Sequence, residues 1–252
     1  LTARINEGTV VVKGKINDYL KSQQAAFDIT VQQMPVEPFV PSFSPHVKFT
    51  GHMDAHNQIA LDNLQSKNPL ESLGGEGQVS VKDGQLLHTN LLSLILGQIP
   101  MLPNLVQNFI EKDILPEYQS ILSQENTVFK KLECDFNAQQ GVINVSRMEF
   151  AADMFDITGN AQLDAQQNMK LEAALFISPD LSSRMTGSVK ELQGLLEPDG
   201  RIKIPLKPYQ GKMASFKPIP DPEYLAKRII VNRGVQELKK WLGDALERNG
   251  TD

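Results

Sequence analysis

The four histidines are the side chains in this sequence best suited to chemistry. They are His46, His52, His56 and His88. His52 and His56 have the i, i+4 spacing that places two metal ligands on one face of a helix, and Asp54 lies between them. The surrounding GHMDAHNQ follows an alternating segment, so we predict an exposed hairpin turn here and no metal site. Since that pair lies in a predicted turn and not on a helix, and no histidine has a visible catalytic partner, we expect no histidine-dependent active site.

Glycines and carboxylates offer two further kinds of site. Gly74, Gly75 and Gly77 resemble a phosphate-binding loop, but the residues after them predict a strand and no Lys-Ser/Thr pair completes the motif. Glu133 and Asp135 occupy alternate positions of a predicted strand. That spacing is typical of a solvated polar face. We therefore expect neither phosphate binding nor acid–base catalysis from these groups.

The single cysteine and the net charge exclude further classes of protein. Cys134 excludes an internal disulfide framework and a cysteine-ligated zinc site, and its alternation with Leu132 and Phe136 predicts a small buried hydrophobe. Thirty acidic and 25 basic residues give a net charge of −5, so we expect no basic surface for nucleic acid. The chain is therefore expected to be non-enzymatic, without a cofactor and without a nucleic-acid partner.

Most of the chain alternates between apolar and polar residues with period two. This is the pattern of a sheet buried on one face. Nine apolar residues share this alternation and could line a hydrophobic surface. They are Phe27, Ile29, Leu132, Phe136, Ile143, Val145, Phe155, Ile157 and Leu171. Turns are predicted at 140–141, 164–168, 199–200 and 210–211. Their short spacing favours antiparallel neighbours, so the predicted fold is α+β, mostly antiparallel β: a curled one-sided meander sheet with helices at the centre and C-terminus.

Local patterns locate a further turn and the helices. Asp83-Gly84 follows an alternating segment and predicts a hairpin turn. Helical patches are predicted at 89–98 and at 104–124, the second broken at Pro116, with shorter turns at 180–186 and 189–196. Asp221 and Pro222 have the residue types that begin a C-terminal helix. An apolar stripe in that helix is formed by Val235, Leu238, Trp241, Leu242 and Ala245.

Three stretches resemble, in the same order, the C-terminal domain of the AsmA-like family of Gram-negative envelope proteins. They are LGGEGQVSVKDGQLLHTNLLSLIL, then FKKLECDFNAQQGVINVSRMEFAADMFDITGNAQLDAQQNMKLEAALFISPDLS, and then DGRIKIPLKPYQGKM followed by PIPDP. Together they cover roughly residues 70 to 225. The chain departs from the family pattern at Asn160, where a glycine is expected, and in the predicted helical insertion at 104–124.

The resemblance implies that residues 1–70 are strand repeats that continue an upstream β-groove. It implies that residues 71–252 form an AsmA-like C-terminal domain with a helical insertion and a C-terminal helix. It also implies a periplasmic location, with an inner-membrane anchor in a segment that this sequence lacks. Phospholipid acyl chains would contact the nine apolar residues named above, and the protein would support outer-membrane biogenesis by guiding lipid or by capping the groove. Two alternatives stay open. The apolar face packs on the helices as an ordinary core, or an exposed strand edge binds an envelope protein.

Overall fold

The main element of the fold is one continuous antiparallel sheet. The computed structural model describes residues 1–5, 7–17, 21, 23–39, 48–62, 64, 69–99 and 122–229. Within these residues, eleven strands pair in sequence order from β1 to β10, and β11 pairs with β9 beside β10. The strands are β1 (Thr2–Ile5), β2 (Gly8–Asn17), β3 (Gln24–Pro35), β4 (Lys48–Leu61), β5 (Gly74–Leu87), β6 (Thr127–Gln139), β7 (Val142–Ala152), β8 (Phe155–Leu163), β9 (Asn168–Ile177), β10 (Ile202–Pro205) and β11 (Tyr209–Lys212). The predicted α+β class with a curled antiparallel meander is confirmed.

Three helices lie wholly within the described residues and accompany the sheet. They are α1 (Leu91–Leu96), α2 (Pro179–Ser188) and α3 (Pro222–Ile229), with 3₁₀ turns at Pro69–Ser72, Lys190–Leu195 and Met213–Ser215. The side chain of Asn90 caps α1 by accepting a hydrogen bond from the Ser93 amide, and Asp221 caps α3 in the same way. The predicted helices near 89–98 and after Asp221 are thus confirmed. Most of the predicted helix at 104–124, and the whole stripe from 235 to 245, lie outside the described residues.

Strand pairing is irregular in four places, and each irregularity keeps apolar side chains on the same face. In each place one strand contains an extra residue. Two successive inward-facing residues of that strand are then three positions apart instead of two, and two polar residues stand between them. The four segments are Val31-Gln32-Gln33-Met34 in β3, Val81-Lys82-Asp83-Gly84 in β5, Phe129-Lys130-Lys131-Leu132 in β6 and Val145-Ser146-Arg147-Met148 in β7. These β-bulges explain why the sequence pattern changes phase inside continuous strands.

The turn predictions have mixed outcomes. Gln140 and Gly141 have φ values of 51° and 75° and connect β6 to β7, and the predicted turns at 164–168 and 199–200 also form. Asp83-Gly84 is not a hairpin turn, because β5 continues to Leu87 and Asp83, with φ 49°, is the extra residue of a bulge. Gln210-Gly211 is likewise wrong as a turn, since both residues lie in β11.

Helices and turns cover one end of the sheet's apolar face and form the main hydrophobic core there. Four phenylalanine rings cross this end in a row: Phe49 to Phe129, Phe129 to Phe150 and Phe150 to Phe155, with centroids 5.1, 4.9 and 5.9 Å apart. Buried Ser182 of α2 ties the helix to the sheet, because its Oγ donates to the Ile177 carbonyl and accepts from the Ile202 amide.

The two predicted segments, 1–70 and 71–252, share this sheet. β4 from the first segment pairs with β5 from the second over most of their lengths. The boundary at 70 therefore separates neighbouring strands of one sheet.

Gly84 provides a test of this packing. A methyl group there would overlap the Phe129 ring and the Thr50 carbonyl oxygen, whereas at Gly74, in the same strand, the nearest atom would be 3.8 Å away. We expect Gly84→Ala to lower the free energy of unfolding by about 2 kcal/mol through overpacking, and Gly74→Ala to change it little. Urea denaturation of both variants checks this. Equal stabilities would contradict the packing described.

Candidate functional site

The inter-strand register places all nine predicted apolar residues on one face of the sheet. One cross-strand row runs from Ile29 through Asn57 and Gly77 to Phe136 and Val145, and continues through Ala161 to Leu171. A second row contains Leu132 and Ile157, and Phe27, Ile143 and Phe155 are in phase with these rows along their own strands. We call this side of the sheet the apolar face.

The nine residues differ in how far the rest of the protein covers them. Phe155 and Ile157 are buried in the main core, and Leu132 packs against that core. Leu171 is also buried and pairs with Tyr209 of β11. These four side chains therefore pack against the main core or lie next to β11.

The other five lie away from the main core. Ile29 packs against a small second cluster formed by Val31, Met34 and Ala55. Phe27, Phe136, Ile143 and Val145 are partly exposed and belong to neither hydrophobic cluster of the described residues. We call the partly exposed region the open face, and its larger side chains are Val12, Phe27, Ile29, Ile59, Phe136, Ile143 and Val145.

The apolar character of the open face continues to the β1 edge of the sheet. Ile16 in β2 has the same phase as Val12 and is 60% exposed, and Leu1, bonded to Val12 in both directions, is 89% exposed. No charged side chain of β2 lies on this side, because Lys13 and Lys15 alternate to the opposite face. The open face therefore reaches this edge without a charged rim on β2.

The opposite face of the sheet is polar and carries a network of ion pairs. Lys131 lies 3.1 Å from Glu133 and 3.2 Å from Glu149, and Arg147 lies 3.0 Å from both Glu133 and Asp135. Such exposed pairs add little stability each, but they keep this side hydrated. The prediction that Glu133 and Asp135 belong to a polar face is confirmed by this register.

The histidine prediction is corrected by the structure. His52 and His56 lie within β4 on the polar face, not in a hairpin turn, and four residues of strand separate their Cα atoms by about 13 Å. Asp54 between them accepts hydrogen bonds from the Gln33 backbone amide and from Lys82, which lower the pKa of its carboxyl group. The described residues hold no group of three or more His, Cys, Asp or Glu side chains that could bind a metal. His46 lies outside those residues.

Cys134 lies on the apolar face, opposite Val79 and Met148. Burial raises the pKa of its thiol to about 11, with a smaller contribution from the negative charge of Asp135. The thiol is therefore neutral at physiological pH, which is unlike a nucleophilic cysteine. Gly74, Gly75 and Gly77 lie in β5 together with the strand predicted after them, so they form no phosphate-binding loop.

An open depression lies at the β2–β5 end of the sheet. Its volume is about 790 Å³, and residues 13–15, 26–28, 58–60 and 75–76 line it. These residues alternate between the two faces of the sheet, so the depression follows the twisted strands and is not an enclosed ligand chamber.

Sequence reasoning missed one polar residue of the open face. Asn57 is in phase with Ala55 and Ile59 in β4, and its side chain lies over Gly77 of β5. Continuing the alternation of Phe49 into the next residues would have found it, but the turn predicted for GHMDAHNQ, residues 51–58, interrupted that pattern.

These features define an open, one-sided antiparallel sheet with a helical cap at one end of its apolar face. No protein-family model, curated protein or solved structure matches the chain. In the part that the structure describes, no helix has the length and apolar character needed to cross a bilayer.

The environment of Cys134 predicts slow alkylation. Since its pKa rises from 9.0 to about 11, the thiolate fraction at pH 8 should fall about 100-fold relative to the unfolded chain. We expect iodoacetamide to label the native protein correspondingly slowly and to label it quickly in urea. Mass spectrometry over time measures both rates. Equal rates would contradict the burial of this thiol.

Proposed function

We propose that this protein is a non-enzymatic, AsmA-like component of the Gram-negative envelope that holds phospholipid acyl chains on its open face. The observation that carries the proposal is the contrast between the two faces. Partly exposed apolar side chains extend from β2 to β7 on one side, and ion pairs cover the other side of β6 and β7. A monomeric protein rarely leaves such a surface exposed without a ligand or partner.

The size of the open face suits an acyl chain. Five strand spacings separate β2 from β7, which gives about 24 Å across the sheet. One leaflet of a bilayer provides about 15 Å of hydrocarbon, so a chain lying across the strands fits within this width. Each methylene removed from water contributes about 0.8 kcal/mol, and no covalent chemistry is needed to hold or release it.

The helical cap supports a role at the end of a groove. Phe155 and Ile157 are covered by protein, whereas Phe27 and Ile143 are not part of that core. One chain thus offers both a surface that can guide lipid and a covered end that can cap the groove. The order of the three AsmA-like stretches supports a periplasmic location with an inner-membrane anchor outside this chain.

Photocrosslinking in intact cells tests lipid contact. We expect benzoyl-phenylalanine in place of Phe27 or Ile143 to form phospholipid adducts, because both residues lie on the open face. Asn144, next in sequence but on the polar face, and Phe155, under the cap, are the matched control positions. Adducts at the same frequency from Asn144 and Ile143 would contradict lipid binding on the open face.

A second function, binding of an envelope protein by strand addition, is favoured by the edge of β2. Val12 exchanges both backbone hydrogen bonds with Leu1, so Gly14 and Ile16 direct their N–H and C=O groups to the same side. In the described residues no strand lies there. Lys13 and Lys15 would favour a partner strand with acidic residues on its polar side.

The edge can be tested with a peptide of alternating Glu and Val residues. We expect it to slow hydrogen exchange of the Gly14 and Ile16 amides, because they would become paired. Ile16→Pro removes an outward N–H and should abolish the protection of Gly14, whereas Ile16→Ala should retain it. No change in exchange at these two amides on adding the peptide would count against strand addition.

A further inference from the structure

Asn57 is the exception to the apolar composition of this surface. In the described residues of β2–β9, it is the one inward position of the apolar face with an amide or a charge. It lies in the middle of the row between Ile29 and Gly77, with Phe136 on the next strand.

The amide of Asn57 has an unusual environment. Its Oδ1 is buried and accepts no hydrogen bond from the described residues. Burying a carbonyl oxygen without a donor costs free energy, so such groups are uncommon in native proteins. A leucine of similar size would avoid that cost, so packing alone does not explain an amide at this position.

Gly77 determines the orientation of the amide. A Cβ at Gly77 would overlap Oδ1 of Asn57, and the same position lies 2.8 Å from the Phe136 ring. Oδ1 therefore occupies the space that a side chain of β5 would fill, against the Cα of Gly77. Nδ2 is not among the atoms nearest to that position, so it lies on the other side of the amide from the glycine, and the residue is partly exposed.

We infer that Asn57 selects acyl esters, with its Nδ2 donating a hydrogen bond to the ester carbonyl oxygen of a lipid whose chain lies on the open face. This inference rests on the proposed function and adds the chemical class of the ligand. An ester carbonyl is an acceptor at the head of an acyl chain, so its chain can cover Phe136 and Ile29 while the carbonyl reaches the amide. A hydrocarbon chain on an ether link lacks this acceptor.

A pair of soluble lipids tests the inference. Dioctanoyl phosphatidylcholine and its dioctyl ether analogue have the same headgroup and chain length and differ in the ester carbonyls. Calorimetric titration of the purified 252-residue chain, with each lipid below its micelle concentration, should show about five-fold tighter binding of the ester, which is the effect of one net hydrogen bond.

Two variants isolate the contribution of the amide. Asn57→Leu should reduce the ester-to-ether ratio to about one while leaving ether binding unchanged or tighter. Gln58→Leu makes the same chemical change one residue away on the polar face and should keep the five-fold ratio. If Asn57→Leu does not fold, Asn57→Ala replaces it. A purely structural role of Asn57 would change the melting temperature but not the ratio.

The outcomes separate this inference from the proposed function. A ratio near one in the unchanged protein, or a five-fold ratio retained in Asn57→Leu, would overturn ester selection and leave lipid binding intact. Failure of both lipids to bind would overturn lipid binding by the open face and the inference with it.

Discussion

The phase of the strands is the constraint on which the rest of this structure depends. Because side chains alternate with period two, a slip of one residue would move the apolar residues of a strand to the polar face. Four bulges prevent this where the sequence places two polar residues between inward positions. In β7, for example, Val145 and Met148 both face inward across Ser146 and Arg147. The bulges also increase local twist, which favours a curled sheet.

Two glycines in β5 leave space on the apolar face for side chains from the neighbouring strands. At Gly84 the ring of Phe129 from β6 occupies the space that a side chain would fill, and it stacks on the ring of Phe49 from β4. At Gly77 the amide of Asn57 and the ring of Phe136 approach in the same way. The contacts at Gly84 lie against the helical cap, and those at Gly77 lie on the open face. One device, a missing side chain between two strands, thus serves packing at one end and shapes the candidate lipid surface at the other.

Alternation in the sequence predicts a one-sided sheet with Phe27, Phe136 and Leu171 on one face, and the short spacing of the turns predicts that its strands are antiparallel. Alternation could not distinguish a bulge from a turn at Asp83, because both conformations accept a positive φ. The outcome depends on β4 and β6, which continue beside β5 past that point. Coverage of the face could not be predicted either. Phe155 and Ile143 have the same pattern in the sequence, and only tertiary packing buries the first more deeply.

The two edges of the sheet differ in how their backbone groups are satisfied. Beyond β10, the Ile202 amide donates to Ser182, and the Pro205 carbonyl accepts from the Asp221 amide. Proline within β10 also disfavours a further strand. Beyond β2, the described residues supply no partner for Gly14 and Ile16. Within the described residues, the β2 edge therefore leaves backbone groups available to a further strand, which would extend the sheet from the β1 side.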